Sequence, residues 1–258
     1  MSQALKSSAI NPFLFMKIKQ LGIVSAGVAL ATLGTSAAQA ALVVVPTDLA
    51  VGDQYRLVFV TAGTRNATST NINDYNTFVT NQVTGSALAT QLTTAGFNLG
   101  TITWKAIAST DSVAARDNTG TNPSSTGVLI YLIDGNRVAN DNADLWLPPI
   151  IRPINVTQAG STLGTEVVWT GTNSSGVVGG SNGLGGSFAI TGVTNLSTAN
   201  WIQNSITLRT SLRRLYGMSS VLTKPTPPVL KVPEPSSLLG FITLGGLMLG
   251  GAVRKGRK

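Results

Sequence analysis

Apolar residues are distributed in two ways along this chain. Near each end they form an unbroken run, and between the ends they recur at strand or helix spacing. Over residues 53–61, Tyr55, Leu57 and Phe59 alternate with Val58 and Val60, which predicts a strand covered on both faces. Asn71 offers a helix cap, and Ile72, Tyr75, Phe78, Val79, Gln82 and Val83 follow it at helical spacing. A second helical run around Ala87 to Leu92 is expected to stop at Gly96. Residues 101–108 are strand-like. Ile130 to Ile133, then Asp134-Gly135-Asn136 and Arg137-Val138, predict a hairpin on an Asp-Gly turn. Further strands are expected at 166–170, 205–209 and 214–218. Residues 171–187 hold seven glycines among Asn, Ser and Val and are expected to form a long loop. Helices flanked by strands, with no repeated strand–helix–strand unit, predict an α+β fold over residues 41–222.

The two apolar runs have different flanks. Met16 to Gln20 is short and basic, Leu21 to Leu33 is apolar, and Ala38-Gln39-Ala40 has small residues where a signal peptidase cuts. Residues 1–40 are therefore expected to be a secretory signal peptide, with Ala38 and Ala40 at the cleavage site. The signal itself requires nothing before Met16. Residues 236–253 form the second apolar run. As a helix it would reach ~27 Å, close to the ~30 Å of a bilayer core. Arg254, Lys255, Arg257 and Lys258 follow it and would hold that end in the cytoplasm. Between domain and run, the proline-rich stretch at 223–231 is expected to be an extended spacer.

Charge changes this picture only by where it lies. The chain has 258 residues, no cysteine, no histidine and a formal charge of +8. The excess belongs to the ends: residues 41–231 carry eleven Lys/Arg against nine Asp/Glu. A basic stripe is what nucleic-acid binding needs, so no nucleic-acid partner is expected. Without Cys there is neither a disulfide framework nor a thiolate nucleophile. Without His the commonest general base is gone. Glu166 is the only glutamate of the mature domain, and no paired carboxylates for glycan hydrolysis stand out. The chain is expected not to be an enzyme.

Val232-Pro233-Glu234-Pro235, the apolar run and the basic tail together resemble the PEP-CTERM sorting signal over residues 232–258. The resemblance implies that Pro233, Glu234 and Pro235 are the motif an exosortase recognises, and that Arg254, Lys255, Arg257 and Lys258 are the retention tail. It also implies transient anchorage in the inner membrane, followed by delivery to the cell surface or extracellular matrix. A second resemblance, to bacterial C-type lectin-like domains related to endostatin, spans most of residues 55–220. It rests on Leu57-Val-Phe-Val-Thr61, Thr103-Trp-Lys-Ala106, Ala114-Ala-Arg116, Tyr131-x-x-Asp134-Gly135 and Asp141-x-x-Asp144-Leu145. Pro153-Ile-Asn155, Val168-Trp-Thr-Gly-Thr172, Trp201 and Arg214-Leu-Tyr216 complete the order. Those domains usually carry a cysteine near the final strand, where this chain has Gly217. The resemblance implies a binding domain for extracellular polysaccharide or surface proteins. A purely structural biofilm protein and a secreted glycan hydrolase are the other readings.

Two candidate sites remain. Asp134, Asp141 and Asp144, with Asn136, Asn140 and Asn142, are the densest set of oxygen ligands. They read either as a Ca²⁺ loop or as a hairpin turn followed by a capped helix. Of the four tryptophans, Trp104 and Trp169 are expected in the core. Trp146, just before Leu147-Pro148-Pro149, is expected to be the exposed one and is the candidate ligand contact.

Overall fold

The computed structural model describes residues 40–226. Ala38, the segment 236–253, the sorting motif and the basic tail lie outside the described residues. Among the described residues no helix is long and apolar enough to cross a membrane.

The architecture is mixed α/β, with one large sheet and few helices. Strand β1 (Gln54–Val60) is central and covered on both faces as its alternation predicts, with Leu57, Val58, Phe59 and Val60 all fully buried. It runs parallel to β3 (Leu129–Leu132) and antiparallel to β8 (Arg214–Ser219). The sheet order is β4-β3-β1-β8-β5-β6-β7, with β4 at Arg137–Ala139, β5 at Val167–Trp169, β6 at Phe188–Val193 and β7 at Ser205–Leu208. Strand β2 (Trp104–Ala106) pairs with β8, and β9 (Leu222–Thr223) pairs with the start of β1.

Register fixes which end of the sheet is which. Gln54 and Tyr55, at the start of β1, face β9. Val60, at its other end, faces Tyr216. Strand β5, and β6 and β7 beyond it, join the sheet at Arg214 and Leu215, the far end of β8 from Ser219. The incoming and outgoing chain meet at the β9 end, where the Lys224 ammonium donates to the Leu49 carbonyl at 2.7 Å. The β6–β7 hairpin therefore lies at the opposite end, ~17 Å away along a strand of this length.

Helix α1 (Ile72–Val83) forms where its period and cap predict. The Asn71 Oδ1 accepts from the Asn73 N–H at 3.0 Å, and Ile72, Tyr75, Val79 and Val83 are buried. Helix α2 (Ala87–Thr94) is capped by Ser86 and ends ahead of Gly96, which has φ +89°. Helix α3 is Ala115–Thr119. Where α1 crosses the sheet, Gly217 leaves room for it: a Cβ there would sit 2.6 Å from the Phe59 ring and 2.7 Å from Val79. A side chain at 217 would require Phe59 or Val79 to shift. Trp104 and Trp169 are core residues, and the Trp169 indole donates to the Arg65 carbonyl at 3.0 Å.

Several of the domain's cations bind backbone. Arg56 donates to the carbonyls of Thr119 and Ser219, Arg209 to Gly185, and Arg214 to Thr61 and Ala62. Such charge-assisted bonds each contribute about 1.5–3 kcal/mol. They tie loops to strands without disulfides. Arg137 with Asp48, at 2.5 Å, is the sole ion pair among the described residues.

That pair docks the amino-terminal arm on the β3–β4 hairpin, because Asp48 also accepts from the Tyr131 hydroxyl at 2.9 Å. Desolvation, the largest single influence, pushes the Asp48 carboxyl up, but the bonds from Tyr131 and Arg137 together outweigh it and hold the group below its usual value. A carboxyl depressed on folding stabilises the fold above its unfolded pKa of ~4, and the contribution disappears as pH falls through the lower folded value. The urea midpoint of the wild type is thus expected to fall more steeply between pH 5 and 2 than that of Asp48→Asn. Identical slopes would rule out this contact as an acid-sensitive one.

Candidate functional site

The sequence-predicted oxygen cluster folds as turn and cap. The Asp134 carboxylate accepts from the Asn136 N–H at 3.0 Å and from the Asn136 amide at 2.9 Å, closing the hairpin turn. The Asp141 Oδ1 accepts from the Asp144 N–H at 2.8 Å and caps the short helix α4 (Asn142–Leu145). The Asp144 Oδ2 accepts from both the N–H and the amide of Asn140, at 3.1 and 2.6 Å. Each carboxylate is thus committed to its own local backbone. Asp134 lines a hollow of about 210 Å³ together with Arg152, a poor neighbour for a cation. Among the described residues no three His, Cys, Asp or Glu side chains form a group that could hold a metal ion.

Trp146 departs from expectation. It is only 5% exposed, its indole donates to the Thr121 carbonyl and hydroxyl at 2.9 and 3.0 Å, and its ring lies 6.0 Å from that of Trp201. The following Leu147 is the exposed residue, at 73%. Helix α4 lasts barely one turn, so the residue that ends it turns inward and its successor outward. Trp146 therefore cannot stack on a ligand at the surface.

A groove of about 510 Å³ lies elsewhere, over the β6–β7 hairpin. Asn173, Asn182, Gln203, Asn204 and Ser205 supply polar groups, and Ile190 and Ile206 supply an apolar floor. The hairpin register sets that floor: Ile190 faces Ile206 and Phe188 faces Leu208, so these four side chains share one face of the sheet. On the opposite face Ala189 and Thr191 are fully buried, while their partners on β7, Thr207 and Ser205, are half-buried and exposed. The rim is the glycine-rich segment 171–187, and its bonds define its path. The Asn173 Oδ1 accepts from the N–H groups of Ser175 and Val177 at 2.9 and 3.3 Å. The Gln203 Oε1 accepts from the Ser174 N–H at 2.9 Å, and the Asn182 carbonyl accepts from the Ile190 N–H at 3.0 Å.

No charged side chain lines this groove. Its chemistry is that of amides, which donate and accept together, beside two isoleucines. A second, smaller groove of about 380 Å³ runs along α1, where Asn73, Thr77 and Asn81 meet Trp104 and Lys105. Sequence reasoning missed the amides of the main groove. They are scattered through an Asn/Gly-rich stretch in which no spacing distinguishes a lining residue from a turn residue. No family model and no curated protein matches the chain.

Proposed function

We propose that this chain is an exported binding protein of the cell surface or extracellular matrix. Signal peptidase removes residues 1–40. The C-terminal helix anchors the chain in the inner membrane, and an exosortase then acts at Pro233-Glu234-Pro235. The domain at 41–222, a C-type lectin-like module, holds extracellular polysaccharide in the groove over β6 and β7. The observation that carries the binding reading is the uncharged, amide-lined groove with its isoleucine floor. Neutral sugars present hydroxyls that both donate and accept, which amide side chains match in pairs. Their C–H faces suit Ile190 and Ile206. The lining offers amides where paired-carboxylate hydrolysis needs two acids, which favours binding over turnover. The sheet register adds support: the groove sits at the end away from Lys224, where the chain leads into the spacer. A module tethered through that spacer would present the groove outward.

The test is saturable retention of the full chain, in detergent, on extracellular polysaccharide from the producing cells. Asn173 and Gln203 also hold the rim, so the informative change is Asn182→Ala with Asn204→Ala. Two lost hydrogen bonds at about 0.5–1.5 kcal/mol each predict an apparent affinity roughly tenfold weaker. Retention that never saturates, or that ignores both changes, would point to a structural surface protein without a discrete ligand.

A further inference from the structure

Strand β7 is the last strand of the sheet, with a neighbour on one side only. Its residues, Ser205-Ile206-Thr207-Leu208, carry no charge and no proline, the usual protections of an exposed edge. Ile206 and Leu208 are 57% and 51% exposed, and Phe188 beside them is 47% exposed.

The hydrogen bonds fix which backbone groups face outward. On β6, the Ile190 N–H donates to the Asn182 carbonyl, and its C=O accepts from Thr170 and Gly171, all on the side away from β7. Ile190 and Ile206 are therefore a non-hydrogen-bonded pair, and antiparallel alternation turns the N–H and C=O of Ile206 to the open edge. The Arg209 N–H donates inward to Ser187, so the Leu208 N–H also faces out. Two neighbouring groups are already engaged within the chain: the Asn204 N–H donates to Thr191, and the Leu208 C=O accepts from Ser211.

From this pattern we propose that β7 pairs antiparallel with β7 of a second copy of this chain, about a two-fold axis at Ile206. In that register the two Ile206 residues exchange both backbone bonds. Leu208 of each copy lies opposite Asn204 of the other, and that pair keeps one of its two bonds, from the Leu208 N–H to the Asn204 C=O, because the Asn204 N–H and the Leu208 C=O are already spent. The strand is thus complementary to itself, and no charge is brought against its like. A two-fold axis perpendicular to the sheet keeps both Ile206 side chains on one face and extends the Phe188–Leu208 strip across the junction. The dimer would place two grooves side by side on a single face. It also leaves the Lys224 end of each copy free, since that end lies across the sheet from β7.

The absence of cysteine in the chain makes the test direct. Ile206→Cys in the full chain, in detergent micelles, is expected to form a covalent dimer with a short bismaleimide. Val51→Cys, 53% exposed and near the start of β1, serves as the control and should stay monomeric. Adding Leu208→Pro to Ile206→Cys removes an N–H that only a partner strand uses, and should drop cross-linking to the Val51→Cys level. Unchanged far-ultraviolet ellipticity verifies that the proline variant is folded. If that variant unfolds, Leu208→Lys with Ile206→Cys replaces it, with the same loss expected. Ile206→Cys reacting no better than Val51→Cys would overturn the proposal, in favour of a different occupant or an unpaired edge. Cross-linking that survives the proline or lysine change in a folded chain would overturn the strand pairing.

Discussion

Replacing Trp201 by alanine is expected to destabilise the domain by about 3–5 kcal/mol, among the largest effects of any single truncation in its core. The side chain is fully buried between Trp146 and Tyr216, with ring centroids at 6.0 and 5.6 Å. It joins three elements: α4 through Trp146, β8 through Tyr216, and β6 through Gly192. At Gly192 a Cβ would collide with the Trp201 carbonyl, so the chain around 201 lies directly on the strand. The truncation would open a cavity that rigid neighbours on a sheet cannot collapse to fill. Among the described residues the Trp201 Nε1 and the Tyr216 hydroxyl have no hydrogen-bond partner. Trp201→Phe therefore breaks no polar contact and should cost clearly less than Trp201→Ala. Urea unfolding of both variants checks the ordering. Equal losses would mean that the indole contributes something other than packing.

How much of this was legible depends on how local each signal is. Helix α1 could be read because its cap and five apolar positions fall within thirteen consecutive residues, and the structure starts it at Ile72 behind Asn71. Strand β1 and the β3–β4 hairpin were legible for the same reason: period two in one case, an Asp-Gly turn in the other. Strand β6 was not. It follows the glycine-rich segment, and Gly192 interrupts its apolar pattern for the sake of Trp201, a contact made nine residues later. Trp146 failed similarly. The Leu147-Pro148-Pro149 that follows it suggested an exposed loop, whereas its burial depends on Thr121 and Trp201, far away in sequence. The carboxylates of the 134–144 loop were dense enough to suggest a metal, yet each is consumed by a neighbour within four residues. The groove was the least legible part, because amides become a site only once β6, β7 and the segment 171–187 are brought together.

The second large effect concerns the ends. Replacing Pro233, Glu234 and Pro235 with alanines is expected to abolish maturation while leaving the domain folded. The reasoning is physical as well as by resemblance. An enzyme embedded in the membrane can reach only a short stretch just outside the bilayer, and these residues immediately precede the apolar run at 236–253. Prolines disfavour helix at their own and the preceding position, so in the proposed pathway this stretch would stay open to an active site. Alanines would allow the helix to extend outward through it. The substituted chain should accumulate in the inner membrane with its basic tail intact. Release in normal amounts would remove the motif from the account.

The most direct measurement is the intact mass and location of the protein in cells with and without a functional exosortase. Wild-type cells are expected to carry a form that begins at Ala41, lacks the residues beyond the Pro233-Glu234-Pro235 region and lies outside the cell. Cells without the enzyme should retain the full tail in the inner membrane. A chain that keeps Arg254 to Lys258 and stays in the inner membrane of both strains would contradict this expectation. The tail would then be a plain anchor and the domain a periplasmic module.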